Sequence, residues 1–173
     1  MAAGDVKTEY AASSIPATTL ASLASDAADF DVGRQSDEVD NTTNKYLDYL
    51  LSAKIQVHLT TPVTVDTEIR IYVAGLVEDS TYPDSLGASD AAKTWTSPGI
   101  LANSCVLAAV LAVDETTAAQ TYYMAPQSVA AMFGGSCPKK FVMYITHNTG
   151  QLLSATEANS EVYVTPVYAT AAQ

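Results

Sequence analysis

The sequence predicts an all-β fold: an antiparallel β-sandwich, jelly-roll-like, preceded by an extended N-terminal arm. Three observations carry that prediction. From residue 46 onward apolar residues alternate with polar ones at a period of two, the signature of strands with one buried face. Clusters of Gly, Pro, Asn, Asp and Ser interrupt these runs at intervals of roughly eight to fifteen residues, as in sandwiches built of short strands. Residues 1–45, in contrast, are rich in Ala, Ser, Thr and Asp and show no sustained period.

That contrast divides the chain into a lead-in of residues 1–45 and a β-domain of residues 46–173. Such a lead-in reads as a segment that cannot close a core alone. Within it TTLASLASDAADF (18–30) sets Leu20, Leu23 and Ala27 on one helical face, so a short helix is the alternative there. KIQVHLT (54–60) alternates Ile55, Val57 and Leu59 with polar neighbours, and TEIRIYV (67–73) does the same with Ile69, Ile71 and Val73. EDSTYPDSLGASDAA (78–92) is a loop long enough to project. SCVLAAVLAV (104–113) is apolar on both sides and reads as a central strand, with a buried helix as its alternative. AQTYYM (119–124) is a further strand, and PQSVAAMFGG (126–135) an irregular crossing with one helical turn. KKFVMYITH (139–147) is the clearest strand, with Phe141, Met143 and Ile145 on one face and Val142, Tyr144 and Thr146 on the other. Asn148-Thr149-Gly150 supplies turn chemistry. EVYVTPVY (161–168) closes the domain; Pro166 lacks an N–H, which predicts a strand that ends there or lies at an edge.

Composition limits the partners. The net charge of −11, from 8 basic and 19 acidic residues, argues against binding a nucleic-acid backbone, which needs clustered Lys and Arg. Lys139-Lys140 is the one adjacent basic pair. Charged residues make up only 16% of the chain, below the usual quarter, which favours a surface covered by another subunit. No stretch approaches the ~18–20 apolar residues of a membrane span. The N-terminus lacks a basic stretch followed by an apolar run, so the expectation is cytoplasmic synthesis without a secretory leader.

Residues for catalysis are sparse. His58 falls on the polar face of a strand and His147 at a strand end, and nothing in the sequence sets Ser136, Cys105 or Cys137 beside either. Cys105 and Cys137 match no metal or redox motif; two small buried thiols is the simpler reading, with a disulfide left open. Glu78, Asp79, Asp84 and Asp90 share one loop, but their spacing fits no calcium-binding loop. Gly134-Gly135 lacks the helix and Lys-Ser/Thr of a phosphate cradle and reads as a turn. The expectation is a non-enzyme with no cofactor and no metal. Tyrosine is in surplus (10 Tyr against 3 Phe and 1 Trp), which makes Tyr82 and Trp95, in or beside the long loop, candidates for stacking on a sugar or a partner.

Two stretches resemble small β-sandwich virion structural proteins of tailed bacteriophages. The first is GRQSDEVDNTTNKYLDYLLSAKIQVHL (33–59), where Gly-Arg-x-Ser and Val-Asp precede the first strand. The second is SVAAMFGGSCPKKFVMYITHNTGQLLSATEANSEVYVTPVY (128–168), with its Phe-Gly-Gly, Pro-basic, Asn-Thr-Gly and Leu-Ser series. Cys137 and Met132 depart from the more ordinary apolar residues expected there. The resemblance implies a capsid decoration (cement) protein: a homotrimer on the outer surface of the virion that binds the major capsid protein. A tail or fibre-adaptor component, or a carbohydrate-binding host-adhesion module, are the alternatives. Arg34, Asp40 and Tyr46 are the candidate interface residues in the lead-in.

Overall fold

The computed structural model describes residues 6–171 and is built almost wholly of β-strands. Sheet 1 holds four strands in the order β1 (Val6–Tyr10), β10 (Glu161–Ala171), β4 (Asp48–Gln56) and β8 (Thr121–Ser128). Sheet 2 runs β6 (Ala91–Thr94), β2 (Val32–Gln35), β9 (Lys140–His147), β5 (Thr67–Gly75) and β7 (Val106–Val113), with β3 (Val39–Asp40) also on β9. Every pairing is antiparallel. The two sheets close on one apolar core, so the all-β antiparallel sandwich predicted from the period-two pattern is the observed fold.

The core follows from the alternation. Tyr49, Leu51, Ala53 and Ile55 point inward from β4 and meet Ile69, Ile71 and Val73 of β5 and Phe141, Met143 and Ile145 of β9. Sheet 2 is buried on its outer face as well. Val142 and Tyr144 of β9, with Tyr72 and Ala74 of β5, lie under Tyr82, Leu86, Trp95, Leu101 and Cys105. The 78–92 segment expected to project as a loop therefore folds back, through Tyr82 and Leu86, as part of a lid over the sheet. Residues 95–105 complete the lid; there the short helix α1 (Pro98–Ser104) starts with proline in the first turn and Ser97 as cap, the Ile100 N–H donating to Ser97 Oγ at 3.2 Å. Covering both faces explains why β9 is buried from Phe141 to His147 and carries five consecutive apolar or aromatic residues, Phe141 to Ile145.

Residues 6–45 do not form a separate arm, and the division at residue 45 is not one the structure makes. β1 extends sheet 1 beside β10; β2 and β3 flank β9; Leu20 is fully buried in the central core. The 18–30 segment is irregular rather than helical. Residues 1–5, the start of the expected arm, lie outside the described residues. β2 and β3 are one strand broken at Ser36. There the Ser36 N–H donates to Met143 O (2.9 Å), and its hydroxyl oxygen accepts the Met143 N–H (3.0 Å).

Other strands depart from expectation for local reasons. β4 starts at Asp48, six residues earlier than expected, and its ladder ends at Gln56; Leu59 lies outside it and is exposed, while the His58 ring caps the following turn. β7 is a strand, but at a sheet edge instead of the centre. β10 runs straight through Pro166 as an inner strand. Ser14 and Val164 exchange both backbone bonds at 2.9 Å, so by alternation the Pro166 nitrogen faces residues 11–13. The neighbouring chain bulges there, between Tyr10 opposite Val167 and Ser14 opposite Val164, and no ladder donor is required.

Candidate docking groove

The groups able to do chemistry are committed to holding the fold. His147 is fully buried. Its Nε2–H donates to Leu23 O (3.1 Å), since a carbonyl only accepts, and Nδ1 is left to accept the Thr149 hydroxyl at 3.0 Å. Burial pushes its pKa down to about 4, so the ring is neutral. His58 Nδ1 accepts the Thr60 and Thr61 amides at 3.2 and 2.9 Å. Cys105 and Cys137 are free thiols rather than a disulfide, pushed up by burial to about 12 and about 11; Asp48 adds to the effect on Cys137.

The loop carboxylates are also engaged separately. Asp84 accepts the Thr96 amide and hydroxyl, both at 2.8 Å, and Asp79 meets Lys139 at 3.3 Å. Asp90 receives a two-pronged contact from Arg34, at 2.6 and 2.7 Å, and the Thr19 hydroxyl at 2.5 Å. Burial alone would raise the Asp90 carboxyl; the guanidinium and the Thr19 bonds outweigh it and hold it below the usual aspartate range. Among the described residues no group of three or more His, Cys, Asp or Glu side chains converges. No helix among them is long and apolar enough to cross a membrane.

Of the candidate interface residues, the structure brings two together. Asp40 and Tyr46 line an open groove of about 600 Å³, whose other walls include Ile15, Pro16, Glu38 and Pro166. Arg34 is absent from it; its guanidinium is held inside the chain by Asp90. Trp95 and Tyr82 are elsewhere and buried, 2% and 6% exposed. Trp95 packs edge-on to Tyr144 at 5.9 Å, and the Tyr82 hydroxyl donates to Glu38 at 2.9 Å. Neither ring offers a face to a sugar; both serve the outer core.

The loop between β3 and β4 is built to present Tyr46. Asn41 braces it twice, accepting the Tyr46 N–H (2.7 Å) and donating to Tyr46 O (3.0 Å), while Lys45 takes a positive φ of 53° to close the turn. The Tyr46 ring stands edge-on to Tyr49 at 5.6 Å, and Tyr49 edge-on to Phe141 at 5.4 Å. An unbroken aromatic chain thus runs from the core to a half-exposed ring. Pairs of this geometry contribute about 0.5–1.5 kcal/mol each beyond area burial, which favours the orientation in which Tyr46 is displayed. Beside it, the Thr42 hydroxyl (2.6 Å) and amide (2.7 Å), with Lys140 behind, keep Asp40 charged and below its ordinary range. The wall formed by Ile15 and Pro16 was not foreseen, because residues 1–45 read as an arm. The signal for it was an apolar pair, Ile15-Pro16, inside a polar segment.

A two-layer antiparallel sandwich with a lidded outer face and an aromatic, acidic groove is the class that fold and site define. Comparison with protein-family models, with curated proteins and with solved structures found no match.

Proposed function

We propose that this chain is a structural protein that works by docking, not by turnover, and that its partner is a protein shell. The observation that carries the reading is Tyr46: a ring fixed from behind by Tyr49 and Phe141, half exposed, and set next to the charged Asp40 in an open groove. Rigid tyrosines with a polar tip supply contact area at low entropic cost, which suits an interface anchor. The resemblance of residues 33–59 and 128–168 to virion structural proteins of tailed phages gives the shell its identity: the major capsid protein, engaged from outside the head. The acidic exterior is compatible with that position, since it is repelled by nucleic acid. Repetition at symmetric shell positions would make one modest groove sufficient through avidity.

Co-sedimentation with phage heads stripped of their outer proteins tests this. The wild-type chain should bind saturably, and Tyr46→Ala and Asp40→Asn, still folded, should weaken binding about tenfold or more, as loss of an interface anchor does. Failure of the wild-type chain to bind heads, capture by tails alone, or unchanged binding by both variants would overturn the proposal.

A further inference from the structure

We propose that the outer edge of β7 is a self-association seam, at which two copies pair their β7 strands antiparallel about a twofold axis at Leu111. Their two sheets then join into one. This inference concerns a different face from the docking groove and does not rest on the shell reading. It starts from a comparison of the four exposed sheet edges. β1 carries Lys7 and Glu9. β6 is four residues long and carries Lys93. β8 contains Pro126, and its ladder is broken by a register shift. Each is blunted by a recognised device against edge pairing. β7 is eight residues, VLAAVLAV, with no charge and no proline. Its one irregularity, opposite Ile71 and Tyr72, lies near its start and leaves Ala109–Val113 regular.

The backbone of that regular run is aimed outward. Glu68 exchanges its backbone groups with Asn148, on the β9 side, donating to Asn148 Oδ1 at 2.7 Å and accepting the Asn148 N–H at 3.1 Å. Alternation then turns Thr67, Ile69 and Ile71 toward β7, opposite Val113, Leu111 and Ala109. Val110 and Ala112 are left with their N–H and C=O groups at the free edge. A twofold at Leu111 sets Val110 against Ala112 of the second copy, and Ala109 against Val113, a branched side chain beside a small one each time. Val110 is 44% exposed in the single chain. Charge agrees with this pairing. Glu68 and Arg70, the charged neighbours on β5, form an ion pair and stand opposite Ala112 and Val110. The twofold therefore places Arg70 of one copy and Glu68 of the other in one cross-strand row, three strand spacings of ~4.8 Å apart, so no like charges are brought together in that row. A single-strand seam buries less than the ~800 Å² per partner of a standard interface, so the dimer forms with rising concentration and separates on dilution.

Sedimentation velocity over a concentration series tests the seam. The mass should rise from that of one 18.2 kDa chain toward twice that value. Val110→Lys, at an exposed position, and Ala112→Pro, which removes only the outward N–H, should each raise the dissociation constant about tenfold or more, a change of ~1.4 kcal/mol per decade. Hydrogen exchange on the unmodified chain is the second readout: the Val110 and Ala112 amides should gain protection as concentration rises. A chain that stays monomeric at every concentration, a trimer, association unchanged in both folded variants, or exchange at these two amides independent of concentration would overturn the proposal.

Discussion

His147 shows how one residue couples the fold to solution conditions. Neutral and enclosed, it has a folded pKa of about 4 against an ordinary value of 6.5, so the unfolded chain binds the proton more readily. Stability is then fully present above about pH 6.5 and is lost as pH falls toward 4, by up to roughly 3 kcal/mol. Denaturant unfolding at pH 7 and pH 4.5 should show this loss, and His147→Gln, which keeps a donor for Leu23, should flatten the profile between those values; equal slopes in both proteins would contradict it. The carboxylate held down by Arg34, Asp90, contributes in a separate and more acidic window, below its unfolded value of 3.8. Gly33 sets a different constraint. A Cβ there would lie 2.3 Å from Ile145 O and 2.8 Å from the Tyr144 ring, so Gly33→Ala forces β2 away from β9. A loss of about 1–3 kcal/mol in thermal or denaturant unfolding is expected, as for overpacking elsewhere.

Strand β9 carries most of the element-scale energetics, because it is buried on both faces and flanked on both edges. The break between β2 and β3 is tolerated only because the Ser36 hydroxyl replaces a missing ladder acceptor for Met143. Ser36→Ala should therefore cost about 1–3 kcal/mol, the penalty of an unsatisfied buried amide, and speed hydrogen exchange at Met143 more than at Ile69. The faces of β9 were legible in the sequence, since Phe141, Met143 and Ile145 do point to one core and Val142 and Tyr144 to another. So was the single helical turn α2 (Val129–Met132), capped by Ser128 and followed by Gly134 and Gly135 at positive φ. Position within a sheet was not legible. An apolar run such as VLAAVLAV looks the same in a central strand and at an unguarded edge, because local pattern reports burial preference and not neighbours. Pro166 misled for the converse reason: its missing donor faces a bulge supplied by residues 11–13, which lie far away in sequence.

At the scale of the whole molecule, the N-terminal third is woven into both sheets, and this is what creates the groove. One wall comes from Ile15 and Pro16, the other from the β3–β4 loop, so the surface that displays Tyr46 exists only when the two parts fold together. Weak periodicity concealed this. β1 has no buried residue, β2 has four residues and β3 two, and each depends on a long-range partner instead of its own pattern. Tyr46 and Asp40 could be singled out as polar and aromatic residues near a strand start, but their convergence with residue 15 required the tertiary fold. The most direct measurement compares the full chain with residues 46–173 alone by thermal unfolding and by the dispersion of amide resonances. Loss of β1, β2, β3 and the buried Leu20 should leave 46–173 without a cooperative transition and with collapsed dispersion; a fragment that unfolds cooperatively within a few degrees of the full chain would contradict the account.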